Sequence, residues 1–290
     1  MSRVAVIGGS ANETNEMLVA KWRDLDIPAL RLSAADARVD LDTGDVAIGR
    51  LDVLPTLDGV EPGLLDLLLL ERSGVHVRNR AFSLLAAHDK LLTARRLEAS
   101  GIPCPRTGWV RAPDDPLPVP PPLVVKPRFG SWGEDVFRCG SEREARRLLR
   151  ILADRPWFRR HGALVQELVP SRYRDLRLLV AGGQVVGAIE RVAAPSDWRT
   201  NISLGGRKES TSPDADACVL AVAAAAAVGG DLVGVDLLPL RSGGQIVIEL
   251  NGAVDFDEDY SLPGRDVFRD GAWALALEGR AADARRAALA

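Results

Sequence analysis

The sequence contains few of the residues on which several common metal and catalytic sites depend. Three cysteines and three histidines occur among 290 residues, and neither set has the close spacing of a zinc site. The scattered histidines also give no indication of a catalytic triad. Because an odd, dispersed set of cysteines is typical of reduced thiols, the sequence predicts a cytoplasmic protein.

Long apolar runs and an excess of one charge are also absent. The longest run of small apolar residues, "VLAVAAAAAVGG", is too short to span a bilayer, and the apolar run at the N-terminus is too short for a signal peptide. The net charge is −3, which does not favour nucleic acid or an anionic membrane as the main partner. We therefore expect neither partner, and 47% hydrophobic residues suit a globular protein.

Strands and helices alternate in the first part of the chain. The buried run "RVAVIGG" is followed by helical periodicity in "ETNEMLVAKWRDLD" and by a second strand in "IPALRLS". This alternation predicts an α/β fold with a mostly parallel sheet. Gly8 and Gly9 do not complete a G-x-G-x-x-G fingerprint, so an ordinary strand-to-helix turn is favoured over a dinucleotide site.

The second half of the chain has antiparallel hairpins instead. A proline-dense connector, "RAPDDPLPVPPP", precedes a helix with Ser141 as its cap, and two hairpins follow. A further helix is predicted with Ser212 as cap and Pro213 in its first turn, and a last helix from residue 270 onward. The fold class is therefore α/β, with an α+β C-terminal half, and we place units at 1–86, 87–165 and 166–290.

The segment "VVKPRFGSWGEDV" carries the first candidate site. A glycine loop lets backbone N–H groups approach a polyphosphate, and Lys126 on the preceding strand adds a positive charge. A plain hairpin turn is an equally good explanation of the glycines alone. Trp132 lies between Gly130 and Gly133, and its ring would be buried if the loop closed over a ligand. The loop is thus a candidate flap, with Ser131 beside the tryptophan.

Two carboxylates and an amide on one predicted hairpin form a stronger candidate site. Glu249 and Asn251 are two residues apart on a strand, so they project from one face, and Asp236 can face them from the neighbouring strand. These oxygen ligands suit Mg²⁺ shared with substrate phosphates. A solvated polar face is the alternative, but the apolar neighbours of these acids would make an unpaired charge costly.

Two weaker candidates complete the set. The segment "ERVAAPSDWRTNISLGG" offers Arg191, Arg199 and Asn201, and arginine donors match phosphate oxygens. In "VQELV", the backbone of Gln166, Glu167 and Leu168 can present hydrogen-bonding groups to an adenine edge. Either segment alone would be read as a loop or as a buried strand.

Together these segments resemble the ATP-grasp ligases, and within them the RimK/LysX branch of ATP-dependent carboxylate–amine ligases. The resemblance rests on the order and spacing of Lys90, Lys126, "GSWG", "QEL", "RDLR", "WRTN" and the Asp236, Glu249 and Asn251 set. The segment "DKLLTARRLEASGIPCPRT" resembles the same family. The resemblance covers nearly the whole chain, most firmly residues 88 to 252, and implies a Rossmann-like N-terminal domain before the ATP-grasp lobes.

The resemblance also implies a role for each matching residue. Lys90 and Lys126 would bind ATP phosphates, the flap would close over them, and Glu167 and Leu168 would form the adenine hinge. Asp175 would lie near the nucleotide, and Arg199, Thr200 and Asn201 would contact phosphates. Asp236, Glu249 and Asn251 would hold two Mg²⁺ (or Mn²⁺) ions. Arg191 would face an acyl phosphate, and both Arg191 and Arg199 would stabilise the intermediate formed when an amine attacks it.

One segment departs from the family pattern. The family continues from its asparagine as Asn-x-x-Pro-Gly, whereas here four acids within 255–259 come before Pro263 and Gly264. A solvated acidic loop and an altered acceptor site explain this segment equally well. A phosphotransferase and a non-catalytic ATP-binding protein remain alternatives to the ligase, and the acceptor amine, expected to be an amino acid, stays open. Ligases of this branch often associate, so a homo-oligomer is also open.

Overall fold

A computed structural model describes residues 2–9, 12–170 and 172–277. The first unit is a parallel sheet of four strands in the order β2-β1-β3-β4, as the strand and helix alternation predicts. Its elements are β1 (Val4–Ile7), α1 (Glu13–Asp24), β2 (Ala29–Leu32), α2 (Ala34–Asp40), β3 (Val46–Gly49), α3 (Leu64–Arg72) and β4 (His76–Arg78). Gly8 allows close packing, because a Cβ there would lie 2.6 Å from the Arg50 carbonyl oxygen.

Two helices connect the first sheet to the second. Helix α4 spans Ala81–His88 and α5 spans Lys90–Ala99, so the boundary that we placed after residue 86 lies within α4. Asp89 caps α5, since its side chain accepts from the backbone N–H groups of Leu91 and Leu92. The division of the chain into three units stays a prediction.

The second sheet is antiparallel and has the order β5-β8-β6-β7. It comprises β5 (Thr107–Val110), β6 (Leu123–Pro127), β7 (Phe137–Cys139) and β8 (Ala163–Glu167), with α6 (Glu142–Leu152) and α7 (Pro156–His161). Residues 111–122 form neither helix nor strand, as their prolines predict. Ser141 caps α6 by accepting from the Glu144 N–H.

We call the third sheet and the helices that accompany it the large lobe. The sheet is antiparallel in the order β11-β10-β9-β12-β13 and contains the two predicted hairpins. Its elements are β9 (Arg174–Ala181), β10 (Gln184–Val192), β11 (Arg207–Ser210), α8 (Ala215–Val228), β12 (Leu232–Pro239), β13 (Gln245–Asn251) and α9 (Val267–Ala274). The predicted last helix is observed only as α9, and residues 278–290 lie outside the described part of the chain.

The start of α8 corrects the predicted cap. We expected Ser212 as the cap and Pro213 in the first turn, but the cap is Asp214, whose carboxylate accepts from the Ala217 N–H. An aspartate three residues before a free N–H accepts a hydrogen bond from that donor. Its negative charge also interacts favourably with the positive N-terminal end of the helix dipole. Pro213 therefore lies before the helix.

Buried polar contacts join the first sheet to the third. Asn79 is fully buried, and its Nδ2 donates to the carbonyl oxygens of Gly49, Leu232 and Gly252 at 3.2, 2.7 and 3.2 Å. Trp22 Nε1 of α1 donates to the Phe268 carbonyl oxygen of α9 at 3.1 Å. These bonds hold the first sheet against the large lobe. The main cavity lies between the first sheet and the large lobe. No helix in the described ranges is long and apolar enough to cross a membrane.

Candidate active site

A cavity of about 620 Å³ is lined by all three parts of the chain. The flap at 130–132 borders it on one side, and the third sheet contributes its floor. Loops that follow β1 and β3 of the first sheet also contribute to its lining. A space bounded by a glycine loop and by charged side chains on a sheet is suited to a charged substrate.

Strand register assembles the charged floor of this cavity. In the third sheet Asp236 of β12 pairs with Arg177 of β9 on one side and with Glu249 of β13 on the other. Arg191 of β10 pairs with Asp175 of β9. Because residues two apart on a strand share a face, Asp175 and Arg177 project to the same side.

Asp236 is held by two arginines. Its Oδ1 accepts from Arg177 Nε at 2.7 Å, and its Oδ2 accepts from Arg177 Nη2 and from Arg191 Nη2, each at 2.7 Å. Burial alone would raise the pKa of Asp236, but the two guanidinium groups outweigh it and hold that pKa below its ordinary value. The carboxylate is therefore ionised at every physiological pH.

Asp175 is the second acidic partner of Arg191. Its two oxygens accept from Arg191 Nε and Nη2, each at 2.7 Å, and the Thr200 hydroxyl donates to Oδ2. Burial raises the pKa of Asp175, although Arg191 opposes that shift. Thr200 and Asp175 thus orient Arg191, and neither of them lines the cavity.

Arg177 lines the cavity and was not among the predicted site residues. Arg177 could have been predicted from the sequence, because "RDLR" places it two residues after Asp175 on one strand, and residues at that spacing share a face. Only the register with β12 shows that it pairs with Asp236. Burial lowers the pKa of this guanidinium, but Asp236 outweighs burial and the pKa is raised, so Arg177 stays charged.

The two predicted phosphate-binding lysines have different surroundings. Lys90 lines the cavity, and its Nζ lies 3.0 Å from Glu249 Oε2. Lys126 is 5% exposed and its Nζ donates to Gln166 Oε1 at 2.9 Å. Burial lowers the pKa of Lys126 to about 8, since no carboxylate directly pairs with it. Lys126 lies behind the cavity lining, within electrostatic reach of Lys90 and Glu249.

The three side chains predicted to bind a metal differ in how many of their oxygen atoms are free of other hydrogen bonds. Glu249 and Asn251 both line the cavity, and the Lys90 ammonium already shows that a cation fits against Glu249. Asp236 does not line the cavity, and three arginine N–H bonds leave it about one free lone pair, on Oδ1. Over the described ranges no group of three His, Cys, Asp or Glu side chains is arranged to hold a metal. The residues therefore fit Mg²⁺ through Glu249 and Asn251, with Asp236 limited to Oδ1.

The flap is fastened to the loop that follows β10. The Trp132 carbonyl oxygen accepts from the Ser203 hydroxyl at 2.9 Å, and the Gly133 carbonyl oxygen accepts from Arg199 Nη1 at 2.8 Å. Gly133 has φ +74°, and a Cβ there would lie 2.6 Å from Asn201 Oδ1. The Trp132 side chain borders the cavity and remains 44% exposed.

In the structure Arg199 is bonded to protein groups, and its predicted role in catalysis and phosphate binding stays a prediction. We expected this arginine to face phosphates and the reacting group, but it does not line the cavity. Its Nε and Nη2 instead donate to Asp197 at 3.1 and 2.8 Å, while Nη1 holds the flap. The Arg199 guanidinium lowers the pKa of Asp197 to about 2, so the pair is charged and fixed.

The backbone N–H groups of the predicted adenine hinge are bonded within the protein, and the hinge itself stays a prediction. The N–H of Glu167 donates to the Arg106 carbonyl oxygen and the N–H of Leu168 to the Pro122 carbonyl oxygen, both at 3.0 Å. The Glu167 carboxylate pairs with Arg106, and the Gln166 side chain bonds Lys126 and Thr107. The two N–H groups are thus not available to a nucleobase. Contacts from the carbonyl groups stay a prediction.

The predicted residues therefore divide into two groups by position. Those that line the cavity are Lys90, Gly130, Ser131, Trp132, Arg191, Asn201, Glu249 and Asn251. Those outside its lining are Lys126, Gly133, Gln166, Glu167, Leu168, Asp175, Arg199, Thr200 and Asp236. The first group can contact a substrate directly, and in the second group Asp175 and Asp236 hold Arg191 of the first.

Comparisons with known proteins identify the family of this chain. Residues 87–262 match the model of the RimK-like ATP-grasp domain. A glutamate–LysW ligase ArgX of Sulfurisphaera tokodaii is 31% identical over 221 residues, which is 72% of this chain and 76% of the relative. A probable alpha-L-glutamate ligase of Citrobacter koseri is 32% identical over 231 residues, which is 74% of this chain and 75% of the relative.

A solved structure shows the same fold at lower identity. The D-alanine–D-alanine ligase of Bacillus anthracis complexed with ATP has a TM-score of 0.67 and 18% identity, covering 98% of this chain and 97% of that one. Fold, site and relatives define an ATP-dependent carboxylate–amine ligase of ATP-grasp architecture. The chain belongs to the RimK-like ATP-grasp family. ATP-grasp ligases use ATP and Mg²⁺, and one structural neighbour was solved with Mg and ADP.

Proposed function

We propose that this chain joins a carboxylate to an amino-acid or peptide amine, with Arg177, Arg191 and Lys90 as the residues that contact the reacting groups. The observation that carries this proposal is that these three cations line one cavity beside a glycine flap. Each is backed by a carboxylate, Asp236 for both arginines and Glu249 for Lys90. Positive groups fixed in this way can stabilise negative charge without reorganising.

The reaction has two steps. A carboxylate oxygen attacks the γ-phosphorus of ATP, ADP leaves, and an acyl phosphate forms. An amine nitrogen then attacks the acyl carbon, inorganic phosphate leaves, and the amine loses a proton as the amide forms. Arg177 and Arg191 would offset the negative charge on the transferred phosphoryl group and on the tetrahedral intermediate. Lys126, lying deeper, would add to the positive potential around the triphosphate.

Water must be kept from the acyl phosphate, and the flap is suited to that task. Arg199 and Ser203 hold its backbone at Gly133 and Trp132, so the flap closes against the loop that follows β10. Bound Mg²⁺ would neutralise triphosphate charge, and Glu249, Asn251 and Asp236 Oδ1 would hold it. We propose two ions, since this is the number that the family resemblance implies.

The test is product analysis after incubation with a small-molecule extract. Purified protein, extract and ATP should yield ADP, phosphate and a new compound whose mass is the sum of two precursors minus one water. A product that gains a phosphoryl group would instead identify a phosphotransferase and contradict the ligase. Because of the free thiols and the ATP requirement we also propose a cytoplasmic location, and a homo-oligomer stays an open prediction.

The Glu249→Ala variant tests the metal role. It should abolish turnover, because it removes the cavity-facing carboxylate beside Asn251. The matched control is Glu209→Ala on β11, a carboxylate that pairs with Arg174 and Arg207 and is not part of the cavity lining. Full ATP turnover by Glu249→Ala protein would overturn the metal assignment.

A further inference from the structure

Arg128 lies between strand β6 and the flap, two residues before Gly130. It does not line the cavity, and its side chain is 26% exposed. Its Nε donates to Asp89 Oδ1 at 2.7 Å, and its Nη2 donates to Asp89 Oδ2 at 2.6 Å. A planar guanidinium that bonds both oxygens of one carboxylate fixes distance and orientation together. The ion pair therefore ties the base of the flap, residues 128–130, to the start of α5.

Asp89, the other member of this pair, is the cap of α5 and is almost fully buried. It is 3% exposed, and its Oδ1 also accepts from the N–H groups of Leu91 and Leu92 at 3.1 and 3.3 Å. The hydrogen bond to Asp89 raises the pKa of Arg128, so the arginine stays charged. Because a buried carboxylate without a cationic partner is costly, Arg128 stabilises the charged cap.

Backbone contacts join the same two segments. The N–H of Lys90, the first residue of α5, donates to the Arg128 carbonyl oxygen at 3.1 Å. Asp89 and Phe129 form an isolated antiparallel bridge. A Cβ on Gly130 would lie 3.8 Å from Lys90 Cε, so the Lys90 side chain runs beside the base of the flap. The start of α5 and the base of the flap thus form one connected unit.

The side chain that this unit places in the cavity is that of Lys90. Its Nζ lies 3.0 Å from Glu249 Oε2, both residues line the cavity, and the lysine side chain is 11% exposed. A lysine side chain is flexible, so the point from which it extends must be fixed if its ammonium is to meet a substrate reproducibly. Asp89 directly precedes Lys90 and caps the helix that Lys90 begins, so the ion pair with Arg128 fixes that point.

Two aromatic rings support Arg128 in this orientation. Its guanidinium carbon lies 5.8 Å from the centre of the Trp109 ring and 6.0 Å from that of the Phe129 ring. Phe129 is 6% exposed and packs against His161, with ring centres 5.0 Å apart. Cation–π contacts of this kind add to the ion pair. The guanidinium of Arg128 is therefore held by Trp109 of the second sheet as well as by Asp89.

We propose that Arg128 is a positioning residue, whose ion pair with Asp89 holds Lys90 where it meets the phosphates of ATP. This inference rests on the proposed function, in which Lys90 contacts the reacting groups. Arg128 does not line the cavity, so it acts only through Asp89 and Lys90. Loss of the pair should release Lys90 from its place beside Glu249, and a misplaced ammonium binds the triphosphate less tightly.

Calorimetric titration of a non-hydrolysable ATP analogue with Mg²⁺ tests this role. Arg128→Met and Asp89→Asn should each weaken binding about tenfold, and asparagine also caps helices well, so the second variant retains α5. In a Lys90→Met background, Arg128→Met should change the affinity less than about twofold, because the residue through which it acts is gone. The control is Arg111→Met, which removes a different cation, 5.4 Å from the centre of the Trp109 ring, and leaves the Arg128–Asp89 pair in place. An equal effect of Arg128→Met in both backgrounds would overturn the inference.

Amine-reactive labelling measures the position of Lys90 without any nucleotide. The nucleotide-free protein is acetylated briefly, and modification at each lysine is measured by mass spectrometry. Arg128→Met should raise labelling of Lys90 about fivefold or more, because its side chain is no longer held beside Glu249. Lys126 is 5% exposed and lies two residues before Arg128, so its labelling should stay as low as in the unmodified protein. Labelling that rises at Lys126 as well would show a general loosening and contradict the positioning role.

The two measurements together separate this inference from the proposed function. If Lys90→Met weakens binding of the analogue while Arg128→Met changes neither binding nor labelling, the inference fails and the function stands. If Arg128→Met exposes Lys90 to labelling and the analogue binds to no form of the protein, Arg128 does position Lys90 and the ligase function fails. If the analogue binds and Lys90→Met leaves its affinity unchanged, Lys90 does not meet the phosphates, and the inference fails with that assignment.

Discussion

At the scale of single residues, the site is controlled by one buried carboxylate. Asp236 is 3% exposed and accepts three hydrogen bonds from Arg177 and Arg191. Removing either side of such a pair leaves a charge without its partner in a medium that solvates it poorly. The ion pairs therefore fix the positions of the arginines that face the substrate.

The variant Arg177→Met should be strongly destabilised. It leaves Asp236 with Arg191 alone, and breaking a buried pair costs about 3–5 kcal/mol of unfolding free energy. Urea denaturation measures this loss. The control is Arg174→Met on the same strand, a partly exposed arginine whose loss should cost about 1 kcal/mol or less. A loss for Arg177→Met as small as the control would contradict the account.

Lys126 predicts a pH dependence of nucleotide binding. Its pKa of about 8 means that the ammonium is charged below pH 8 and neutral above it, so affinity for an ATP analogue should fall as pH rises past 8. Calorimetry from pH 6.5 to 9.5 measures this fall. Lys126→Arg should remove it, because arginine stays charged. An affinity of the unmodified protein that is flat across this range would show that Lys126 does not act on the triphosphate.

Lys126 should also make the stability of the nucleotide-free protein depend on pH, with stability rising as pH rises. In the unfolded chain Lys126 keeps its proton up to its ordinary pKa of 10.5, whereas the folded protein releases it near pH 8. Between these values the unfolded state binds more protons, so the nucleotide-free protein gains stability from this group as pH rises. Lys126→Met should lose this gain in urea denaturation between pH 8 and 10.

At the scale of elements, the flap depends on a glycine that no other residue can replace without cost. Gly133→Ala should weaken binding of an ATP analogue about tenfold, because its Cβ would displace Asn201 from the cavity wall. Gly244→Ala is the control, since Gly244 has nearly the same φ, +76°, and its Cβ would meet nothing within 4 Å. Equal effects of the two variants would mean that backbone strain alone matters.

The corrected cap of α8 is testable in the same way. Asp214→Ala removes the side chain that accepts from the Ala217 N–H and should cost about 1 kcal/mol of unfolding free energy. Ser212→Ala should change that free energy little, because Ser212 lies outside the helix. Thermal or urea denaturation compares them. A larger loss for Ser212→Ala would restore the original prediction.

The elements show which features can be predicted from sequence. Periodicity predicted the helices and the parallel first sheet, and the cap Ser141 was predicted correctly, because these signals act over a few residues. Two acceptors close together, Ser212 and Asp214, made the start of α8 ambiguous. The bonds made by the N–H groups of Glu167 and Leu168 could not be predicted, because their acceptors, at Arg106 and Pro122, come from distant parts of the chain.

At the scale of the whole molecule, the cavity depends on packing of the first sheet against the large lobe. The motifs of the ATP-grasp lobes indicated Lys90, Arg191 and Glu249, all of which line the cavity. Asp52 and Glu61 follow β3, and nothing in their sequence surroundings indicates that they meet residues after β13. The part of the cavity lining that the first sheet contributes therefore could not be predicted without the three-dimensional fold.

The most direct test of the central claim is the transfer of oxygen from a labelled carboxylate to phosphate. Once product analysis has identified the donor, its carboxylate is labelled with ¹⁸O and the released phosphate is examined by mass spectrometry. The account predicts one labelled oxygen in the phosphate for each ADP and each amide formed, because the acyl phosphate is cleaved at the carbon–oxygen bond. Phosphate without label, or release of AMP and pyrophosphate, would contradict it.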